Sequence, residues 1–178
     1  MTLAAAIVAS LVLAGAARAA TDPTSEAEVK AAFLFNFAKF TDWPAHAAEA
    51  PLTMCIVGDW PVAAALIDAV RNQRIGGHAI DASAIAPDAP MRPCDVLFVS
   101  MSETRRTAGA LEAVKSLPIL TVSDDRQFTQ SGGVVQLFVE NERMRFSINT
   151  EAADRAGLRL SSRLLSLAKI VKDAHAHP

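Results

Sequence analysis

The sequence predicts an α/β fold: a three-layer sandwich around a mainly parallel sheet, with an antiparallel hairpin at one edge. Three observations carry this. Short apolar runs at 52–57 (LTMCIV), 95–100 (DVLFVS) and 119–122 (ILTV) lead into Gly58-Asp59, Ser100 and Ser123-Asp124-Asp125, the pattern of strands buried on both faces. Stretches of helical periodicity alternate with them. Two further strand-like runs, 134–139 and 144–148, are separated only by Glu140-Asn141-Glu142-Arg143, which is a hairpin signal.

Taken in order, residues 1–20 (MTLAAAIVASLVLAGAARAA) read as a secretory leader. The apolar run from Leu3 to Gly15 is shorter than the roughly 20 residues that a membrane span needs. Ala17-Arg18-Ala19 is a small-x-small cleavage site, so residues 1–19 are expected to be a signal peptide and 20–178 a single domain. No Lys or Arg precedes the apolar run; either the amino terminus supplies the charge or the true start lies upstream. A helix is expected over 26–40. Ser25 and Glu28 have the spacing of a capping box, and Val29, Phe33, Phe37 and Phe40, widened by Leu34 and Ala38, form its apolar stripe. Glu26, Lys30, Asn36 and Lys39 are left for water, and Trp43-Pro44 stops the helix.

After the strand at 52–57, Trp60-Pro61 opens a helix to about Val70, with proline in the first turn. Gly76-Gly77 makes a turn, 78–81 is a short strand and 82–93 a loop. The strand at 95–100 leads to a helix over 103–116, with Ser102 as its cap. The strand at 119–122 is followed by one helical turn at 126–130 and then by the hairpin. A helix over 151–156 is interrupted by Gly157. The last expected element is an amphipathic helix over 160–172, with Leu160, Leu164, Leu167 and Val171 buried and Arg163, Lys169 and Lys172 off the stripe.

Composition narrows the function. The 178 residues carry a formal charge of −2 with no long run of either sign, so there is no basic patch to grip nucleic acid. There is no Tyr, and the Phe and Trp residues that could stack bases are needed in the core. No phosphate loop, dinucleotide fingerprint or nucleophile elbow occurs. No catalytic set, cofactor or metal site is therefore expected, and the protein is read as a non-enzyme. Of His46, His78, His175 and His177, the last pair could capture metal only as histidine-rich ends do.

Ligands of an open parallel sheet gather beyond the carboxyl ends of its strands. Asp59, Ser100, Ser123 and Asp124 stand there as pocket candidates, or else as caps and turn residues. Leu158, between Arg155 and Arg159, marks a joint before the last element. It is either an apolar contact for a partner, rimmed by the two arginines, or a side chain tucked under the sheet. Cys55 and Cys94 bound a loop of about 40 residues; after export, pairing is the default, and the alternative is two separate buried thiols.

Two stretches also carry a family resemblance. EAEVKAAFLFNFAKFTDWP and, at 148–171, INTEAADRAGLRLSSRLLSLAKIV resemble the N-terminal and C-terminal signatures of the YfiR family of periplasmic proteins. The resemblance implies a periplasmic α/β domain that tends to dimerise. It implies binding to the periplasmic sensor region of an inner-membrane diguanylate cyclase, held inactive until release raises cyclic di-GMP and favours biofilm. An outer-membrane lipoprotein is implied as a modulating partner, and a sensor kinase as an alternative target. The cysteine spacing is similar to that of one family disulfide, so Cys55 and Cys94 inherit that pairing; a second family disulfide has no cysteines here. A domain from another functional class, one that binds a small ligand and feeds a sensor kinase, is the alternative.

Overall fold

A computed structural model describes residues 23–43, 46–47 and 49–172. The expected leader over 1–19, cleavage before Ala20, Pro44 and the histidines His175 and His177 lie outside the described residues. Helix α1 (Pro23–Lys39) is followed by a two-residue strand β1 (Thr41–Asp42). Strand β2 (Leu52–Val57), helix α2 (Trp60–Val70) and strands β3 (Arg74–Ile75) and β4 (His78–Ile85) come next. They lead to β5 (Val96–Val99), α3 (Thr104–Val114) and β6 (Leu120–Ser123). The hairpin β7 (Val135–Glu140) and β8 (Arg143–Asn149) leads to α4 (Thr150–Arg155), β9 (Arg159–Leu160), α5 (Ser162–Leu167) and β10 (Lys169–Val171).

Eight strands form one sheet in the order β10-β8-β7-β6-β5-β2-β4-β3, and β1 pairs separately with β9. From β4 through β2, β5 and β6 to β7 every pairing is parallel; β7 and β8 are antiparallel, and β10 returns parallel to β8. The fold is thus a mixed α/β sandwich with a mainly parallel centre and an antiparallel pair toward one edge. The hairpin turn is shorter than expected. Only Asn141 and Glu142 stand outside the strands, both with positive φ, as a tight two-residue hairpin turn requires.

Alternation along the strands divides the core. Met54, Ile56, Val96, Phe98, Leu120 and Val122 face one side, where α1, α2, α4 and α5 pack. Cys55, Val57, Leu97 and Val99 face the other, where among the described residues only α3 lies, contributing Val114 with Leu111 and Ala110 at its margin. The two sides are therefore unequally covered. On the crowded side Phe33, Phe37 and Phe146 meet with centroids 5.0–5.8 Å apart, in the tilted and edge-on arrangements that aromatic pairs prefer.

Four expectations about elements are corrected. First, α1 begins at Pro23, so Ser25 lies inside it, and it ends at Lys39, before Trp43-Pro44. Its buried face is Ala27, Lys30, Ala31, Leu34, Phe37 and Ala38, while Val29 is 38% exposed. The true stripe is rotated by one position at its N-terminal end, because small alanines let the helix sit close to the sheet and leave space for a lysine. Second, Ser102 does not cap α3: Glu103 holds the N-cap position and makes no side-chain capping bond. Third, β4 continues to Ile85 because residues Ile80–Ile85 all find partners along β2. Fourth, 160–172 is not one helix. Leu160 belongs to β9, Ser161 caps the short α5 through a bond from Leu164 N to its Oγ (3.2 Å), and Ala168 turns extended. The β-branched Ile170 and Val171 then complete an edge strand on β8 instead of another helical turn.

Candidate functional site

The carboxyl ends of β2, β5 and β6 bring Asp59, Ser100, Ser123 and Asp124 to one region, where contacts within the protein already engage these side chains. Asp59 Oδ1 accepts from Val62 N (3.1 Å) and so caps α2. Ser123 is fully buried and its Oγ accepts from Asp125 N at 3.1 Å. Ser100 Oγ lies 3.2 Å from Ser102 Oγ. Asp124 Oδ1 accepts from Met101 N, and its Oδ2 accepts from Lys30 Nζ, both at 2.7 Å. Lys30 is only 8% exposed and also lies 3.1 Å from Glu26 and 3.9 Å from Asp59. Burial pushes the Lys30 ammonium down. The hydrogen bond and charge of Asp124, with those of Glu26, outweigh that, and its pKa stands above 10.5. Gly58 lets Glu103 approach the end of β2, since a Cβ there would run into its side chain. Lys30, which no pattern of apolar spacing assigns to this place, thus neutralises Asp124 at the carboxyl ends of the strands, and both side chains border an open crevice there with Met101 and Arg126.

The joint at 155–159 resolves against an exposed contact. Leu158 is 3% exposed and belongs to the main core with Ala152, Ala153 and Ala156. Gly157, at φ 68°, turns the chain so that Leu158 N donates to Ala153 O (3.0 Å), and the side chain goes under the sheet. Arg155 and Arg159 stay exposed but have no apolar centre between them.

Exposed apolar surface lies instead between α1 and α5. A groove of about 370 Å³ is lined by Val29, Phe33, Phe40 and Phe146 on one side and by Leu164 and Leu167 on the other. Leu167, expected in the core, is 68% exposed. At one end Arg163 stands over the Phe40 ring at 5.5 Å, with Lys39 at 6.0 Å, giving the groove a basic rim. Both stretches that carry the family resemblance contribute to it, and β1–β9 pairing holds them together.

A second cavity, also about 370 Å³, lies on the sparsely covered side of the sheet, between α3 and the segment 125–134. On the same side of the sheet, in the cluster that includes Val114 and Ile119, Cys55 and Cys94 form a disulfide with Cα atoms 5.8 Å apart. Cys94 precedes β5, whereas Cys55 sits in the middle of β2. Next to the bridge Asp95 Oδ2 accepts from Thr53 N (2.7 Å) and Asp95 Oδ1 lies 3.2 Å from His46 Nδ1. His46 meets His78 edge-on with centroids 4.9 Å apart. This cluster joins residues far apart in sequence, so spacing along the chain gave no sign of it. Among the described residues no group of His, Cys, Asp or Glu has the geometry of a metal site, and no helix is long and apolar enough to cross a membrane. A family model described as YfiR/HmsC-like matches residues 27–169 of the chain.

Proposed function

Since the chain belongs to the YfiR/HmsC-like family, whose domains are periplasmic and regulatory, we propose that it acts by contact, binding the sensor region of an inner-membrane signalling enzyme and holding it inactive. A diguanylate cyclase is the enzyme class that the family supports best. The observation that carries the reading is the α1–α5 groove, because both resembling stretches line it and leave Leu167 exposed. An isolated exposed leucine needs no explanation, but one set beside an aromatic-floored groove suits protein recognition. The basic rim of Lys39 and Arg163 favours an occupant that brings apolar side chains flanked by carboxylates, an acidic amphipathic segment of the sensor region.

Leu167→Glu tests this. It places an unpaired charge where the partner's apolar side chains would desolvate it, while an exposed site leaves folding alone. The variant should melt as the wild type does, fail to co-purify the cyclase from solubilised membranes, and raise cyclic di-GMP as deletion does. A variant that folds, binds and represses like wild type refutes the surface; a deletion that leaves cyclic di-GMP and neighbouring sensor outputs unchanged refutes the repressor reading. A small-ligand domain feeding a sensor kinase remains the second reading, favoured by the cavity beside α3.

A further inference from the structure

We propose that the cleft between α3 and segment 125–134 binds a small carboxylate with a slender apolar body, anchored by Arg105. The cleft exists because α3 is the only helix on its side of the sheet among the described residues and does not reach the hairpin. One of its walls is a single stripe of α3, running from Arg105 through Ala108 and Leu111 to Lys115. The opposite wall is Phe128 and Val134, over a floor that includes Ile119. Phe128 is seated by Gly133: a Cβ there would run into its ring, so the wall depends on that glycine.

Length and charge set the ligand class. From Arg105 to Lys115 the helix rises about 15 Å at about 1.5 Å per residue. A volume of about 370 Å³ spread along that length is a narrow slot, within the range of about 300–1,000 Å³ that small-molecule sites occupy. The acids lining it are already engaged. Asp125 accepts from Thr104 Oγ1 (2.7 Å) and Gln127 N (2.9 Å), and Glu112 pairs with Lys115 at 2.6 Å. Thr121 Oγ1 accepts from Val134 N at 3.1 Å. Arg105 has no ion pair or hydrogen bond from its side chain among the described residues. What the slot lacks is one anion at one end and apolar contact along the rest. A guanidinium meets a carboxylate with two parallel hydrogen bonds. One arginine balances the single charge of a carboxylate better than the two of a phosphate monoester.

Calorimetric titration of the mature protein with sodium octanoate and with octanol tests the assignment. Octanoate should bind saturably at one site, at least about tenfold more tightly than octanol. Arg105→Gln, an exposed substitution that leaves the core alone, should abolish that difference. Ala108→Trp should fill the slot and remove binding of both while the melting temperature is kept. Absence of saturable octanoate binding, or octanoate binding unchanged in Arg105→Gln, overturns the proposal; so does unchanged binding in a folded Ala108→Trp. The groove between α1 and α5 lies on the other side of the sheet, so failure here leaves the partner reading as it stands.

Discussion

Replacing Lys30 by methionine isolates the charge at the carboxyl end of the sheet. Methionine keeps an unbranched stem of similar bulk and a high helix propensity, so the change removes the ammonium and little else. The bond to Asp124 at 2.7 Å is charge-assisted, a class worth about 1.5–3 kcal/mol. Glu26 is 44% exposed at its side chain and turns to water, so its pair adds little. Asp124 retains Met101 N as a donor, so the full cost of a stranded buried charge, roughly 3–5 kcal/mol, is not reached. The expected loss is about 2–3 kcal/mol, or roughly 4–12 °C in melting temperature for a domain of this size. Urea unfolding at neutral pH, with unchanged m, measures it. The sign of the pH dependence follows from the raised pKa. A group raised above its unfolded value contributes fully below 10.5 and loses that contribution as pH rises through the folded value. The gap between wild type and Lys30→Met should thus be flat from pH 7 to about 10 and close above it. A loss under about 0.5 kcal/mol, the size of an ordinary surface change, refutes the account.

Two further outcomes follow from the same packing. Replacing Cys55 and Cys94 with alanine should cost about 2–4 kcal/mol, since the bridge spans 39 positions; equal stability with and without reductant would count against it. Leu158→Ala should lower stability by about 2–5 kcal/mol through the cavity it leaves, whereas a folded variant with weakened partner binding would restore the exposed-contact reading.

The layers of the fold were legible because strands buried on both faces need continuous apolar runs, and 52–57 has the bounds that its composition announces. The hairpin was legible for a similar reason: its turn leaves few residues to interpret. The errors over α1 and over 160–172 have one cause in common. Periodicity ranks positions by hydrophobicity, so it put Val29 inside and Lys30 outside, although the packing of Ala27 and Ala31 and the partner Asp124 decide otherwise. The same ranking joined 160–172 into one helix, because Leu164 and Leu167 have helical spacing and the vacant edge of β8 is not visible locally. The candidate site suffered most. Cap residues and pocket residues share a chemistry, and only geometry shows that Asp59 and Ser123 are already hydrogen-bonded. The cleft beside α3 has no signature along the chain, since it arises from what one helix fails to cover.

The pairing of β1 with β9 also constrains the order of events in folding. Thr41 registers with Leu160 and Asp42 with Arg159, and Ser161 N donates to Phe40 O at 2.9 Å. The first helix is therefore secured by residues near the end of the domain, with β2 through β8 between them. Contacts of such sequence separation form slowly, because loop closure must precede any gain from them. A chain emerging N-terminus first holds α1, with its row of phenylalanines, without its final docking partner until nearly all of the domain has appeared. Its aromatic face is open to aggregation during that interval, and shielding α1 until residue 161 arrives is the demand this topology makes on whatever escorts the nascent chain.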